Sequence, residues 1–541
     1  MKVTWLVIVF CLVANFGFHG RKLLRTVYGH GCPPVQWNRG EVPGYCSVFN
    51  TACMDHGSRI VIHDEKYQID NVRRENTPSL PVVLWNMPIR LNAFPDALGG
   101  WQPGFNVHVR PASKMEPTPP LRHPSWSNCT LPVVLLVDYP YNYKLFVIKA
   151  LTQIDQMFRV RSLAPGKDAT LVLATPAGLA LEPYHAVLLS PYSRRPLVTM
   201  SELGRRGMEG TPADWSGEGV RVHCFSQLLA CKLDQQDGTA PQAAASAVLS
   251  HLGPSVPADP LGFGSAATDP HVLRVVVEER TASWRSIRNV RDILRACEEA
   301  DARGFAAGPF TRIVCKALPA PYDSSPPATG TVDPSSPGAV AFRSALGAVS
   351  SAHLFVAAAG SSGAHAFFMN PDPARGGAGL VEVRPCGWGT EHAGRADGAQ
   401  DAMAAQLQRG ADTIRFFAYN VEDAAQCSPP DYQSQLLANR ADLQLQQQTA
   451  AHPFQPKAPA RYSPEELLVR DQHLTLRPGP LLAMLRHAAA LLGDKAAYGA
   501  ARDGGKLHGY AVAEGLLLGP AGLTQAALPA LKNGPELIKV P

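Results

Sequence analysis

The sequence predicts an α/β protein: a pair of Rossmann-like domains carried behind an N-terminal membrane-targeting segment and a stem. Three features predict it. Short uninterrupted apolar runs recur, each followed by apolar residues at helical spacing, which is the pattern of parallel strands buried on both faces and covered by helices. Two such series are separated by a passage rich in Pro, Ala and Gly over residues 236–270. The extreme N-terminus opens on a charge-free apolar run from Val3 to Phe18.

Residues 1–19 read as a signal anchor or signal peptide. Lys2 precedes the apolar run, and Arg21, Lys22 and Arg25 follow it. As a helix the run would reach roughly 24 Å, short of the ~30 Å hydrocarbon core of a bilayer. A cleaved signal-peptide core and a short uncleaved anchor both fit that length, and positive charge on both sides leaves the choice open. Two further features agree with entry into the secretory pathway. Asn128-Cys129-Thr130 is the single N-glycosylation sequon. Of 11 cysteines, Cys11 lies in the apolar run and ten remain, an even number that permits disulfides in an oxidising lumen. No Cys-x-x-Cys pair is present, which argues against a zinc module; Cys46 and Cys53 are the best local pair, and the other thiols stay open between disulfides and ordinary buried cysteines. The net charge of +5 over 541 residues, without a Lys/Arg block beyond residue 30, argues against a nucleic-acid partner.

Residues 20–130 read as a stem and an irregular N-terminal module, with strand-like pieces at 59–63 and 82–85 and a Pro-rich linker over 111–124. The first Rossmann-like unit spans 131–255. Its strands are expected at 132–137, 169–174, 186–189 and 220–225, and Tyr143, Phe146, Val147, Ala150, Leu151, Ile154 and Phe158 mark a helix. The second unit spans 270–430, with strands expected at 272–277, 313–315, 354–359 and 379–383. Between them Ile287, Val290, Ile293, Leu294 and Cys297 trace one helix face that Gly304 terminates, and 340–349 reads as another helix. The stretch 319–338 is a Pro- and Ser-rich insertion. Residues 431–492 form a C-terminal helical segment, with helices at 433–448 and 480–492, and 493–541 reads as a poorly ordered low-complexity tail.

Ligands of such sheets bind beyond the carboxyl ends of the strands. After the strand at 272–277 the chain runs through Glu278, Glu279 and Arg280 to Arg285-Ser286-Ile287-Arg288-Asn289. Guanidinium forks match phosphate oxygens, and a helix N-terminus adds a positive dipole end, so this turn is the foremost anion-site candidate. Its bland alternative is a solvated turn with internal Glu–Arg pairs. After the strand at 354–359 comes Gly360-Ser361-Ser362-Gly363, a turn able to offer backbone N–H groups to a phosphate, or simply a tight turn. His365 reads as a core histidine. Asp138, ending the first strand, is a candidate base, or else a turn residue before Pro140. No Gly-x-Ser-x-Gly elbow precedes a helix, and the side chains of adjacent Glu278 and Glu279 diverge, which argues against a hydrolase.

In combination these residues resemble glycosyltransferase family 61, the family of plant xylosyl- and arabinosyltransferases and EGF-domain-specific O-GlcNAc transferases. The family's Arg…Arg-x-Ile-x-Asn is similar to Arg280…Arg285-Ser286-Ile287-Arg288-Asn289, with one extra residue between the arginines. Gly304-Phe305, Cys224-Phe225, Asn142-Tyr143 and Asp471-Gln472-His473 match further short marks in family order. Two stretches depart from it. The family's His-Gly-Ala-Gly loop is here Ala359-Gly360-Ser361-Ser362, and its histidine after Asn-Tyr-Tyr is replaced in the stretch Tyr143-Lys144-Leu145.

The resemblance implies a GT-B-like fold, with a donor domain at 270–430 and an acceptor domain at 131–255. It implies an inverting, metal-independent glycosyltransferase, and the chain contains no Asp-x-Asp motif. A nucleotide sugar, UDP-linked, would be the donor substrate, with no further cofactor, and a glycan or glycoprotein the acceptor. Arg280, Arg285 and Asn289 would grip the diphosphate or its sugar, helped by Gly360, Ser361, Ser362 and Gly363, with Asp138 as base and Asn128 glycosylated. The protein would lie in the Golgi or endoplasmic reticulum membrane with a lumenal catalytic region, or be secreted after cleavage. The altered loop at 359–365 raises the alternative of a catalytically weakened or inactive lumenal glycan-binding or scaffold protein on the same fold.

Overall fold

The computed structural model describes residues 43, 45–54, 59–62, 86–90, 104–111, 125–127, 130–160, 169–175, 180–206, 223–233, 238–280, 285–319, 334–372, 374, 376–386, 402–409, 414–428, 471–512 and 517–518. It is an α/β protein with two sheets. Val3 to Phe18, Asn128, residues 320–333 of the insertion expected at 319–338 and the expected helix at 433–448 lie outside these residues, while Pro319 ends a strand and Pro337 opens the helix Pro337–Ser351. Among the described residues no helix is long and apolar enough to cross a membrane.

The centre of the first sheet is parallel because its strands are buried on both faces. Leu131–Val137 has every residue buried and pairs in parallel with Ala169–Leu173 on one side and His223–Leu233 on the other. Val198–Thr199 continues the parallel set. Beyond His223–Leu233 the sheet turns antiparallel with Cys46–Met54 and then Arg59–Ile62. Residues 46–127, read from sequence as stem and irregular module, thus supply five strands to this sheet: Cys46–Met54, Arg59–Ile62, Asn86–Arg90, Gly104–Pro111 and Ser125–Ser127. The sheet is reached from both ends of its sequence, which no local pattern records.

The disulfides follow from this pairing. Cys46 lies opposite Cys231 and Cys53 opposite Cys224 in the antiparallel ladder, and both pairs are bonded. The local pair Cys46 with Cys53 is therefore not formed. An odd separation along a strand sends the two side chains to opposite faces. Cys297 bonds Cys315, tying the helix Val290–Ala302 to the strand Arg312–Pro319, and Cys386 bonds Cys427.

Two other elements differ from expectation. The apolar run expected as a strand at 186–189 is the end of the helix Pro183–Leu189. Pro183 occupies a first-turn position, and the Glu182 backbone N–H donates to His185 Nδ1 at 3.0 Å. A short apolar run cannot by itself distinguish a buried helix from a strand. Within the expected passage at 236–270 lies the helix Pro241–Leu252, which buries Ala244, Ala245 and Val248. The expected helix from Tyr143 forms, and two π-type stretches, Phe146–Leu151 and Gln156–Val160, widen it.

The second sheet runs in the order Arg312–Pro319, Val272–Glu279, Leu354–Ala358, Ala378–Arg384, Ile414–Val421, His508–Ala511 and Leu517–Leu518. All its pairs are parallel except the last. The chain enters at Val272–Glu279, steps outward to Arg312–Pro319, and then crosses back to Leu354–Ala358. The crossover point lies between the first and third of these, where ligand crevices form in open parallel sheets. The strand His508–Ala511 and the helix Lys495–Asp503 correct the expectation of a disordered tail from 493 onward. Asp494 caps that helix by accepting the Ala497 N–H at 2.9 Å, and Tyr498 is buried.

One hydrophobic core contains residues from both units, among them Leu135 and Leu173 of the first sheet and Val276, Phe355 and Leu380 of the second. Helices from each unit meet within it. Tyr143 packs on Phe342 with ring centroids 5.6 Å apart and on His365 at 4.9 Å, and Tyr184 lies 6.2 Å from Phe342. Separate cores cover the outer face of each sheet.

A candidate anion site at the crossover of the second sheet

The strand Val272–Glu279 delivers Glu278 and Arg280 to its carboxyl end, and Leu354–Ala358 delivers Gly360 beside them. Arg285 holds its backbone at φ 52, a left-handed value that side chains adopt at a cost. The turn is pinned there. Arg285 N–H donates to Asp471 O at 3.1 Å, and its guanidinium makes a close ion pair with the buried Asp471 carboxylate.

The two guanidiniums converge on Gly360. A methyl group built on Gly360 would lie 3.3 Å from Arg285 Nη1 and 3.6 Å from Arg280 Nη1. Gly360 itself is extended, at φ 167, so its lack of a side chain provides room rather than backbone freedom. The 3-10 helix Ser361–Phe368 begins at the next residue, with no side-chain cap. Ser362 Oγ is buried with no hydrogen-bond partner among the described residues. Arg280 Nε and Nη1 are also buried without an acceptor among them; the Glu278 carboxylate is 3.8 Å away and accepts the Ala358 N–H through its other oxygen at 3.2 Å. Buried N–H groups without acceptors are costly, and an anion lodged beside Gly360 would satisfy them. Chemically the arrangement offers guanidinium N–H donors to an anion beside Gly360, with the positive charge of Arg285 balanced by Asp471 and that of Arg280 partly by Glu278.

Of the residues predicted from sequence, Arg280, Arg285 and Gly360 are brought together, and Ser361 and Ser362 start the adjoining helix. Gly363 faces the core instead: a methyl group placed on it would meet Leu380 Cδ2 at 3.8 Å and Met403 Cε at 3.9 Å. Asn289 commits its amide to one backbone unit, donating to Leu476 O at 2.8 Å and accepting Leu476 N–H at 2.9 Å. It thus latches the segment 471–476 to the arginine turn. The same latch includes Arg288 N–H to Leu474 O at 2.7 Å, Leu474 N–H to Ser286 O at 2.9 Å, and Ser286 Oγ with His473 Nδ1 at 2.7 Å. Asp471, 186 residues from Arg285 in sequence, is the site's acidic partner; its one sequence signal was the Asp471-Gln472-His473 run.

Asp138 lies at the crossover of the first sheet, between Leu131–Val137 and His223–Leu233, where it pairs with Lys232 Nζ at 2.9 Å. His365 is buried, with Nδ1 3.2 Å from Ser362 O, and burial holds its pKa down at about 4. Sequence reading passed over Glu182. It stands beyond the carboxyl end of Ala169–Leu173, and burial pushes its carboxyl up to about 7. The signal available was an acidic residue followed by Pro183, the signature of a helix start. Among the described residues no group of three or more His, Cys, Asp or Glu side chains could hold a metal. Neither a protein-family model nor a curated protein matches the chain.

Proposed function

We propose that this protein binds a nucleotide sugar, UDP-linked, at Arg280, Arg285 and Gly360, and transfers the sugar to a glycan or glycoprotein acceptor as a GT-B-like, inverting glycosyltransferase of the secretory pathway. The observation that carries the reading is the convergence of two guanidiniums on a side-chain-free residue at the crossover of a parallel sheet. A departing diphosphate develops negative charge, and preorganised cations with N–H groups around it lower the barrier. Four disulfides among the described residues fit a lumenal setting. In this reading Asn289 acts through the latch rather than on the donor, and the apolar N-terminus retains the protein at a Golgi or endoplasmic reticulum membrane.

Ala359, standing where the resembling family has a histidine, favours a second reading: a lumenal glycan-binding scaffold that keeps the fold without turnover. Binding of UDP tests the donor site. Saturation at 100 times Kd adds about 2.7 kcal/mol of stability, visible as a raised Tm. Arg280→Ala is the cleaner probe, because Arg280 stands 3.8 Å from Glu278 without a hydrogen bond to it, whereas Arg285 makes a close ion pair with buried Asp471 whose loss would destabilise the fold. Arg280→Ala is expected to weaken UDP binding at least tenfold with Tm in the absence of ligand nearly unchanged. Equal affinity of variant and wild type would end the assignment. UDP binding with glycan binding but no sugar transfer would favour the scaffold.

A further inference from the structure

Resting on that donor reading, we propose that Glu182 is the catalytic base that takes the proton of the acceptor hydroxyl. Its placement carries the proposal. Ala169–Leu173 and Leu131–Val137 are neighbouring parallel strands, and Glu182 lies in the loop beyond the carboxyl end of the first. That loop is stapled to the residues following the second. Tyr141 Oη donates to Ala180 O at 2.9 Å, Tyr184 Oη donates to Pro140 O at 2.7 Å, and His185 Nε2 lies 2.7 Å from the same oxygen. The helix that Glu182 opens packs on the second unit through Tyr184 and Phe342. Tyr184 touches Tyr143 at 5.3 Å, and Tyr143 touches His365 at 4.9 Å. His365 sits on the helix that starts beside Gly360. The carboxylate and the two guanidiniums thus stand at strand ends of different units, on elements packed through three contiguous rings. Transfer between an acceptor on one unit and a donor on the other needs this opposition.

The surroundings single out Glu182 by charge state. Burial raises the Tyr141, Tyr143 and Tyr184 phenols well above their ordinary range, and it lowers His185 and His365 to about 4. Asp138 and Lys232, on the adjacent strands, neutralise each other. Beside these phenols and imidazoles, the Glu182 carboxyl is brought to about 7, where a carboxylate is both substantially ionised and basic.

In the transfer step the acceptor O–H proton passes to the Glu182 carboxylate while the acceptor oxygen forms a bond to the anomeric carbon. The bond from that carbon to the β-phosphate oxygen breaks, and its electron pair stays on the diphosphate, beside Arg280 and Arg285. The Glu182 carboxyl then returns its proton to solvent.

The experiment compares the full chain with its Glu182→Gln and Glu182→Asp variants, using UDP for binding and a panel of UDP-linked sugars for transfer to water between pH 5 and 9. Wild type is expected to bind UDP and to transfer with an acid limb near pH 7. Glu182→Gln is expected to bind UDP within twofold of wild type, to lose transfer by about a hundredfold or more, and to lose the acid limb. Glu182→Asp should fold alike and regain part of the rate with the limb restored. Full transfer by Glu182→Gln, or an acid limb erased by Asp138→Asn and not by Glu182→Gln, overturns the proposal. Wild type that binds UDP but transfers no sugar overturns it too while leaving the donor site standing. Failure to bind UDP removes the donor reading itself, and the base with it.

Discussion

Arg280 and Arg285 carry like charges to the same glycine but are held differently. Arg285 is fixed by a buried aspartate and a left-handed backbone, whereas Arg280 keeps buried N–H groups with no acceptor among the described residues. The first fixes the geometry and the second has hydrogen-bonding capacity to give. Gly360 is the third member, because it lets both approach. Gly360→Ala would put a methyl 3.3 Å from Arg285 Nη1, tighter than an ordinary contact. The obstructed atom ends a flexible side chain, so the fold can yield. The expected outcome is UDP binding weakened by about 1 kcal/mol, roughly fivefold, with Tm within a degree or two of wild type; calorimetric titration beside a thermal melt checks both. At this scale the sequence was informative about Arg280, Arg285 and Gly360, because strand ends can be located from apolar runs. It was silent on Asn289, whose amide looks alike in sequence whether it faces a ligand or a backbone, and here it faces Leu476.

Elements from distant parts of the chain hold that site in place. The segment 471–476 lies on the arginine turn, and the elements beyond it are structural. The helix Pro478–Leu492 packs in the core on the outer face of the second sheet, and His508–Ala511 extends the sheet beside Ile414–Val421. Tyr498 Oη accepts the Phe416 N–H at 2.9 Å. Truncation after residue 493 would therefore strip a paired strand and bare Tyr498's partners. We expect such a chain to lose several kcal/mol and to be recovered poorly or to melt well below the full chain; equal Tm values would show that the last strand contributes nothing. The Ala- and Gly-rich composition of this region hid its order, since small residues give little periodic signal. The helix Lys495–Asp503 buries only Tyr498 and Ala501, a face too narrow to stand out. The opposite holds for Leu131–Val137 and Val272–Glu279, which were legible because double-sided burial leaves an unbroken apolar run.

For the whole molecule, buried ionisable groups at and beyond the junction between the units make stability depend on pH. His185 and His365 at the junction, and His508 in the second unit, titrate at about 4 in the fold and near 6.5 when unfolded, so the unfolded chain takes up their protons first as pH falls. Their contribution is complete above pH 6.5 and is lost progressively down to 4. Glu182 has the opposite sign. Its folded value of about 7 exceeds its unfolded 4.5, so its contribution is complete below 4.5 and is lost as pH rises through 7. Between pH 4.5 and 6.5 these three histidines outweigh the one carboxyl by about two protons, or about 2.7 kcal/mol per pH unit. The urea midpoint is expected to fall as pH is lowered across that window, and to fall more steeply in Glu182→Gln, which lacks the compensating group. A midpoint independent of pH there, or a slope unchanged in the variant, would mean that these groups are not buried as described.

Apolar periodicity by itself determined the class of this protein, α/β with two sheets whose central strands are parallel, because strands buried on both faces must be written as unbroken apolar runs. Tertiary structure alone decided three things: that residues 46–127 complete the first sheet, that Cys46 and Cys53 bond to Cys231 and Cys224 rather than to each other, and that Asp471 closes the arginine turn. Each joins residues far apart in sequence. Local patterns record which face of a segment is buried, but the partner that buries it is selected by the packing of the whole chain.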